Sequence, residues 1–198
     1  MGATELYGGG KLDIPNCTFN FSPEKRRILP YKPEVYGSLC SIYYQRNERR
    51  IRLKLVDTTC SDEDGNDLLR SLTYQGTDVV VLCYAIDAPW SLTSVREKWY
   101  PEVLHFLPGV PIILLGCKTD FGGDSLGIVI QPNDIVTQSQ GRAVADEIGA
   151  INFVECSSAY PYTIDRFEEV LGGVAWSLSE EIATASSDRL TDGKCIIT

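Results

Sequence analysis

Two short, nearly continuous apolar runs constrain this chain most: "VVVLCYAI" at 79–86 and "PIILLGC" at 111–117. A strand with one wet face alternates apolar and polar residues, whereas a strand covered on both faces does not, and such runs belong to parallel sheets. Between them Leu92, Val95, Trp99, Val103 and Phe106 recur at three- and four-residue spacing, which predicts an amphipathic helix with its stripe on the sheet. Strand, helix and parallel strand connect by a right-handed crossover, the repeating unit of an α/β fold.

The remaining elements follow the same rhythm. Residues 51–58, "IRLKLVDT", alternate as a half-wet strand does, and with 38–45 and the polar turn 46–50 they predict an antiparallel hairpin. "INFVEC" at 151–156 predicts a further strand after a helix that ends near Gly149, where a C-terminal cap belongs. A last helix carries Ile164, Phe167, Leu171, Val174 and Leu178 on one face, with Thr163 placed to cap its start. The expected fold is a doubly wound, mostly parallel α/β sheet. Its binding crevice lies beyond the carboxyl ends of the strands, which gathers Asp57, Asp87, Cys117 to Asp120 and Cys156 to Ala159 on one rim. Residues 1–37 stand apart, with Gly8 to Gly10 in a row and prolines at 15, 23, 30 and 33. The stretch 183–194 is small and polar, the composition of a flexible tail.

Composition narrows the classes. The 198 residues are 43% hydrophobic and 23% charged, enough for one well-buried core. Seven cysteines lie scattered through apolar runs without C-x-x-C spacing, which argues against a disulfide or zinc framework and for a reducing, cytosolic compartment. The net charge of −9 makes nucleic acid a poor expectation. The longest apolar run is far too short to span a bilayer, and the first 30 residues hold no signal-peptide run.

The run "SLTSVREKWYPEVLHFLPGVPIILLGCKTD" at 91–120 closely resembles the Rho branch of the Ras-like small GTPases. Further similarities are "LVDT" (55–58), "LRSLTYQGTDVVVLCYAID" (69–87), "GRAVADEIGA" (141–150), "ECS" (155–157) and a terminal "CIIT". The resemblance covers roughly residues 31 to 198 and implies the small-GTPase, or P-loop NTPase, sheet. It also implies GTP or GDP with Mg²⁺ as ligands and Rho-type effectors or regulators as partners. Lys118 and Asp120 fall where the family reads guanine, but Cys117 stands in place of the usual Asn. Ser157, Ser158 and Ala159 match the second guanine element without its Lys, and Asp57 matches the switch Asp that steadies the metal's shell.

The phosphate side departs from the family. No G-x-x-x-x-G-K-[ST] loop occurs in residues 1–30; around Gly10-Lys11 the first required Gly is Glu5 and the hydroxyl position is Leu12. Switch I reads Tyr31-Lys32-Pro33-Glu34, with Glu34 where a Thr would meet Mg²⁺. In switch II, Cys60 and Ser61 replace the Gly and Gln that hold the terminal phosphate and the attacking water, and the acidic run Asp62 to Asp64 follows. Hydrolysis depends on placing charge around the γ-phosphate, so the expectation is no catalytic residue, no meaningful turnover and weak or absent nucleotide binding. The family's first strand sits mid-sheet and is followed by a helix; both are missing or replaced here. Either "CTFNF" at 17–21 pairs into the vacant slot or the sheet has a gap.

Cys195-Ile196-Ile197-Thr198 fits a C-a-a-X prenylation box, which brings a prenyltransferase, a prenyl-binding chaperone and a membrane reached through a lipid anchor into the expected partners. Only Arg189 and Lys194 are basic after residue 180, so one lipid without a second signal predicts a cytoplasmic protein reversibly attached to the cytoplasmic face of membranes. Leu6 stands where N-myristoylation wants Ser or Thr. The expected layout is an irregular segment 1–30, a Rho-like domain 31–182 and a tail 183–198. Two alternatives stay open beside a non-hydrolysing signalling protein: a slow GTPase switch whose residues 1–30 supply an unrecognised phosphate site, and a scaffold that sequesters Rho regulators or prenyl-binding chaperones through the Trp99 face and the lipidated tail. His105, the one histidine, reads as structural.

Overall fold

A computed structural model describes residues 33–34, 37–46, 49–58, 72–122, 135–183 and 190–197. The segment 1–30 with its 17–21 run and Gly10-Lys11 pair, and the switch residues Tyr31, Cys60 and Ser61, lie outside the described residues.

Seven strands form one sheet: β1 (Pro33–Glu34), β2 (Gly37–Arg46), β3 (Arg49–Asp57), β4 (Val79–Ala85), β5 (Ile112–Cys117), β6 (Asn152–Glu155) and β7 (Leu190–Ile197), in the order β1-β2-β3-β7-β4-β5-β6. The hairpin β2–β3 is antiparallel, with Ser38 opposite Asp57 and Arg46 opposite Arg49. From β3 onward every pairing is parallel.

Alternation along β4 explains why its run is apolar throughout. Val79, Val81 and Cys83 enter one core layer with Leu53, Leu55, Ile113, Leu115 and Val154. Val80, Leu82 and Tyr84 enter the opposite layer with Trp99, Val103, Leu114 and Phe153. On the second face α1 (Pro89–Ser94) passes through a π-helical turn (Val95–Trp99) into α2 (Tyr100–Phe106). The cause of the π turn is Pro101: it has no N–H to give and its ring crowds the preceding turn, so the backbone widens just before it. Helix α3 (Gln138–Glu147) opens with a capping box, Thr137 accepting from the Gln140 N–H and Gln140 accepting from the Thr137 N–H at 2.8 Å, and the chain leaves it through Gly149 at φ 65.

The first face is covered by α4 (Pro161–Ala183), whose Phe167, Leu171 and Ala175 are buried. Its register allows close approach at Gly172, where a Cβ would come within 2.5 Å of the Tyr44 ring. Tyr44 is held there because its hydroxyl donates to the Glu168 carbonyl at 3.2 Å. No helix among the described residues is long and apolar enough to cross a membrane.

Four expectations are corrected. Phe106 leaves the predicted stripe and stands 47% exposed, its ring against Tyr74 and His105. Trp99, conversely, is buried under the helix at 4% exposure, so it offers no surface to a scaffold's partner; Trp90, Leu104 and Phe106 are the exposed large side chains of that segment. Thr163 lies inside α4 rather than before it, because Pro161, with no amide proton to satisfy, starts the helix. The largest difference is the carboxyl-terminal segment. Residues 190–197, expected as part of a tail, are a strand, and they fill the mid-sheet slot that 17–21 had been the candidate to fill.

Replacing Gly172 by Ala tests the helix packing. The added methyl forces Tyr44 from its place, with an expected loss of about 1–3 kcal/mol, read from the urea midpoint at unchanged slope.

Candidate functional site

Parallel strands end on the same side of a sheet, so the carboxyl ends of β3, β4 and β5 bring Asp57, Asp87 and the loop after Cys117 to one rim, as the sequence spacing required. The loop begins with Lys118 at φ 62, the one described non-glycine residue with positive φ. That conformation is costly for a side chain with a Cβ, and it is sustained by surrounding contacts. Lys118 Nζ meets Asp87 Oδ2 at 3.4 Å, and the Thr119 N–H donates to the Cys156 carbonyl at 3.3 Å. The chain then forms a 3₁₀ turn, Thr119–Gly122, which carries Asp120.

The second loop locks onto the first. Ser157 is buried, and its hydroxyl donates to Asp120 Oδ1 in a short hydrogen bond while accepting the Ala159 N–H at 3.0 Å. Thr163 Oγ1 accepts the Ser157 N–H at 2.9 Å, tying the loop to the first turn of α4. Ser158 is exposed on the loop. An ionised carboxylate has about four acceptor positions. One bond from Ser157 therefore leaves Asp120 able to accept from a pair of ring N–H donors, the pattern that guanine presents, and the half-buried site is dry enough to make such bonds selective.

Cys117 shows what the lost Asn means physically. Its thiol packs against the core layer that contains Cys83 and Cys156 rather than reaching across the crevice as an amide would. The hydrogen bond with Cys156 pulls the Cys117 thiol down, but the bond with Cys83 and burial outweigh it and hold Cys117 well above the usual thiol range. Cys156 is pushed up by its bond to Cys117 and by burial. These thiols stay protonated and brace the loops by packing and by their mutual hydrogen bonds.

The phosphate end looks different. Among the described residues this part of the rim offers Asp57, Thr58 and Asp87, with Lys118 already beside Asp87. Thr58 is committed to the neighbouring strand: its N–H and its hydroxyl both donate to the Ile197 carbonyl, at 3.0 and 3.1 Å. One Asp87 oxygen, Oδ1, is buried without a hydrogen-bond partner among the described residues. Carboxylates gathered in this way repel a polyphosphate unless cations are interposed. Glu34 lies on β1 at the far edge, paired through the backbone with Gly37. Thr58, Asp87 as the partner of Lys118, and Thr163 as an acceptor were not singled out for these contacts from sequence. A hydroxyl or carboxylate next to a strand end was the only signal, and many loops share it.

Comparison with known proteins agrees with this arrangement. The Ras family profile matches residues 34–174. GTP-binding protein RHO1 of Eremothecium gossypii is 39% identical over 170 residues, which span 84% of this chain and 81% of that protein. GTP-binding protein Rho1 of Kluyveromyces lactis is 45% identical over 140 residues, 68% of this chain and 64% of that protein. GTP-binding protein RHO1 of Saccharomyces cerevisiae is 44% identical over 139 residues, 67% of this chain and 66% of that protein.

The thiol layer gives a pH dependence with a definite sign. A thiol whose value is raised in the fold contributes stability that is complete below its unfolded value, near ~8.5, and that is lost as pH rises above it. The expected slope is about 1.4 kcal/mol per pH unit for each buried thiol. Urea midpoints should fall between about pH 8 and pH 9.5, and Cys156→Ala should flatten the decline; equal midpoints would contradict the assignment.

Proposed function

The chain belongs to the Rho branch of the Ras family of small GTPases, and from that premise we propose that it signals through protein partners while keeping only the base-reading half of a nucleotide site. The observation that carries this reading is the contrast along one rim. The loops that read guanine are assembled and joined through Ser157 and Asp120. The adjoining strand ends supply Asp57 and Asp87, and the Thr58 hydroxyl is spent on a strand rather than a metal.

The described residues fit a guanine base, and those among them at the phosphate end do not fit a magnesium triphosphate. Lys118, Asp120, Ser157 and Ser158 suit the base; among the described residues Asp57 alone would stand near a metal. When bound, GTP with Mg²⁺ supplies the family's switch, because γ-phosphate contacts order the switch segments. In this chain Glu34, Cys60 and Ser61 occupy the positions that would sense it, which supports a protein whose partner surface is not gated by hydrolysis. The partners in this reading are Rho-type effectors or regulators. Attachment to the cytoplasmic face of membranes through a lipid on Cys195, transferred by a prenyltransferase and handled by a prenyl-binding chaperone, belongs to the same proposal, with the remainder of the protein in the cytoplasm.

A second reading, a slow GTP-binding switch, is favoured by the assembled base loops and by the relatives, which are named GTP-binding proteins. Melting the full chain with and without GDP or GTP and Mg²⁺ separates the two. Ligand at about a hundred times its dissociation constant adds roughly 2.7 kcal/mol, or ~5–10 °C. We expect a shift well below that range and no phosphate release above background. A full guanine-specific shift that disappears in Asp120→Ala would establish the switch instead.

A further inference from the structure

The mid-sheet strand β7 contains the residue on which the lipid reading depends. Leu190 to Ile197 pair with Arg50 to Asp57 over eight consecutive positions on one side, and Cys195 to Ile197 pair with Val79 to Val81 on the other. Cys195 and Ile196 are fully buried and Ile197 nearly so. A strand this deep needs specific partners, and the slot provides them.

Asp78 grips the Lys194 backbone from both sides, its carboxylate accepting the Lys194 N–H at 2.7 Å and its own N–H donating to the Lys194 carbonyl at 2.8 Å. The Lys194 ammonium donates to the Thr73 carbonyl and, at 3.0 Å, to the Gln75 carbonyl, which anchors the strand to the turn before β4. Gly193 lies where a Cβ would press on Leu53 at 3.2 Å. Thr58 closes the far end through its two bonds to the Ile197 carbonyl. The contacts run the whole length of the slot and read features of this segment: a small residue, a lysine, then three apolar residues.

We propose that the slot between β3 and β4 is an intramolecular binding site for the chain's own lipidation segment, so that completing the sheet and carrying a lipid on Cys195 are mutually exclusive states. The proposal rests on the reading of Cys195 as a lipid acceptor. Prenyl transfer forms a bond between Cys195 Sγ and C1 of an isoprenoid diphosphate, breaks the C1–O bond, and releases inorganic diphosphate and the thiol proton. The nucleophile is the thiolate. In the slot, Sγ is out of solvent, and burial together with the Asp78 carboxylate holds the thiol far above its ordinary range. A C15 or C20 chain on Sγ has no room in the close-packed core layer that Cys195 enters with Leu53, Leu55, Val79 and Ile197. Lipidation therefore requires the strand to leave, and leaving opens the ladders of β3 and β4 together.

Two acceptors are compared with purified farnesyl- and geranylgeranyltransferase and radiolabelled isoprenoid diphosphate: the full native chain and a synthetic peptide of residues 187–198. The expected result is a labelled peptide and a full chain labelled at least roughly a hundredfold more slowly, because a central strand opens only at a free energy near the global one. Asp78→Ala, which leaves the box intact, should raise the full-chain rate severalfold. Native-state alkylation with iodoacetamide, read by mass spectrometry at Cys195, should show the same protection without any transferase, and it serves where Asp78→Ala does not fold. A full chain labelled and alkylated as fast as the peptide overturns the proposal and leaves the lipid reading standing. A peptide that neither transferase labels overturns the lipid reading, and the exclusivity with it.

Discussion

A buried sheet cannot tolerate an empty place in its middle. Each backbone N–H or C=O left unpaired away from water costs about 1–3 kcal/mol, and two facing strand edges carry several of them. In this protein β3 and β4 both present such edges toward the same slot, and β7 pairs with eight positions of β3 and with Val79 to Val81 of β4. The positions of β2 through its hairpin, of β5 and β6 through the parallel ladder, and of both core layers follow from that one insertion.

The same insertion shapes the site. The small-GTPase fold brings a phosphate-wrapping loop out of its mid-sheet strand, so the carboxyl end of that strand is where a polyphosphate would be received. Here that end is Ile197, closed off by Thr58. The other part of the rim is built from β5, β6 and α4, away from the slot, and there Ser157 is joined to Asp120 and Thr163. The two parts of the rim therefore have separable structural origins.

Much of the architecture was legible in the residues. The strands β4 and β5 announce themselves as apolar runs because both of their faces are covered, and α4 because its buried side recurs with helical spacing. The rim loops were legible through Lys118, Asp120 and Ser157, which the structure brings together. What misled was local ambiguity. Phe106 fits a helical stripe, yet the π turn before Pro101 rotates the last residues away from the sheet. Thr163 has the hydroxyl of a cap, and Pro161 starts the helix two residues before it.

Taken alone, the sequence determined the fold family and the parallel sheet and gathered Lys118, Asp120 and Ser157 on one rim, because each of these is written in residue type and spacing. Only the tertiary structure decided the use of residues 190–197. Three apolar residues, Cys195 to Ile197, are too short a run to distinguish a core strand from a lipidation box. The difference lies in what surrounds them: unsatisfied backbone edges on β3 and β4, an aspartate at 78 and a threonine at 58, groups far away along the chain that only folding brings together.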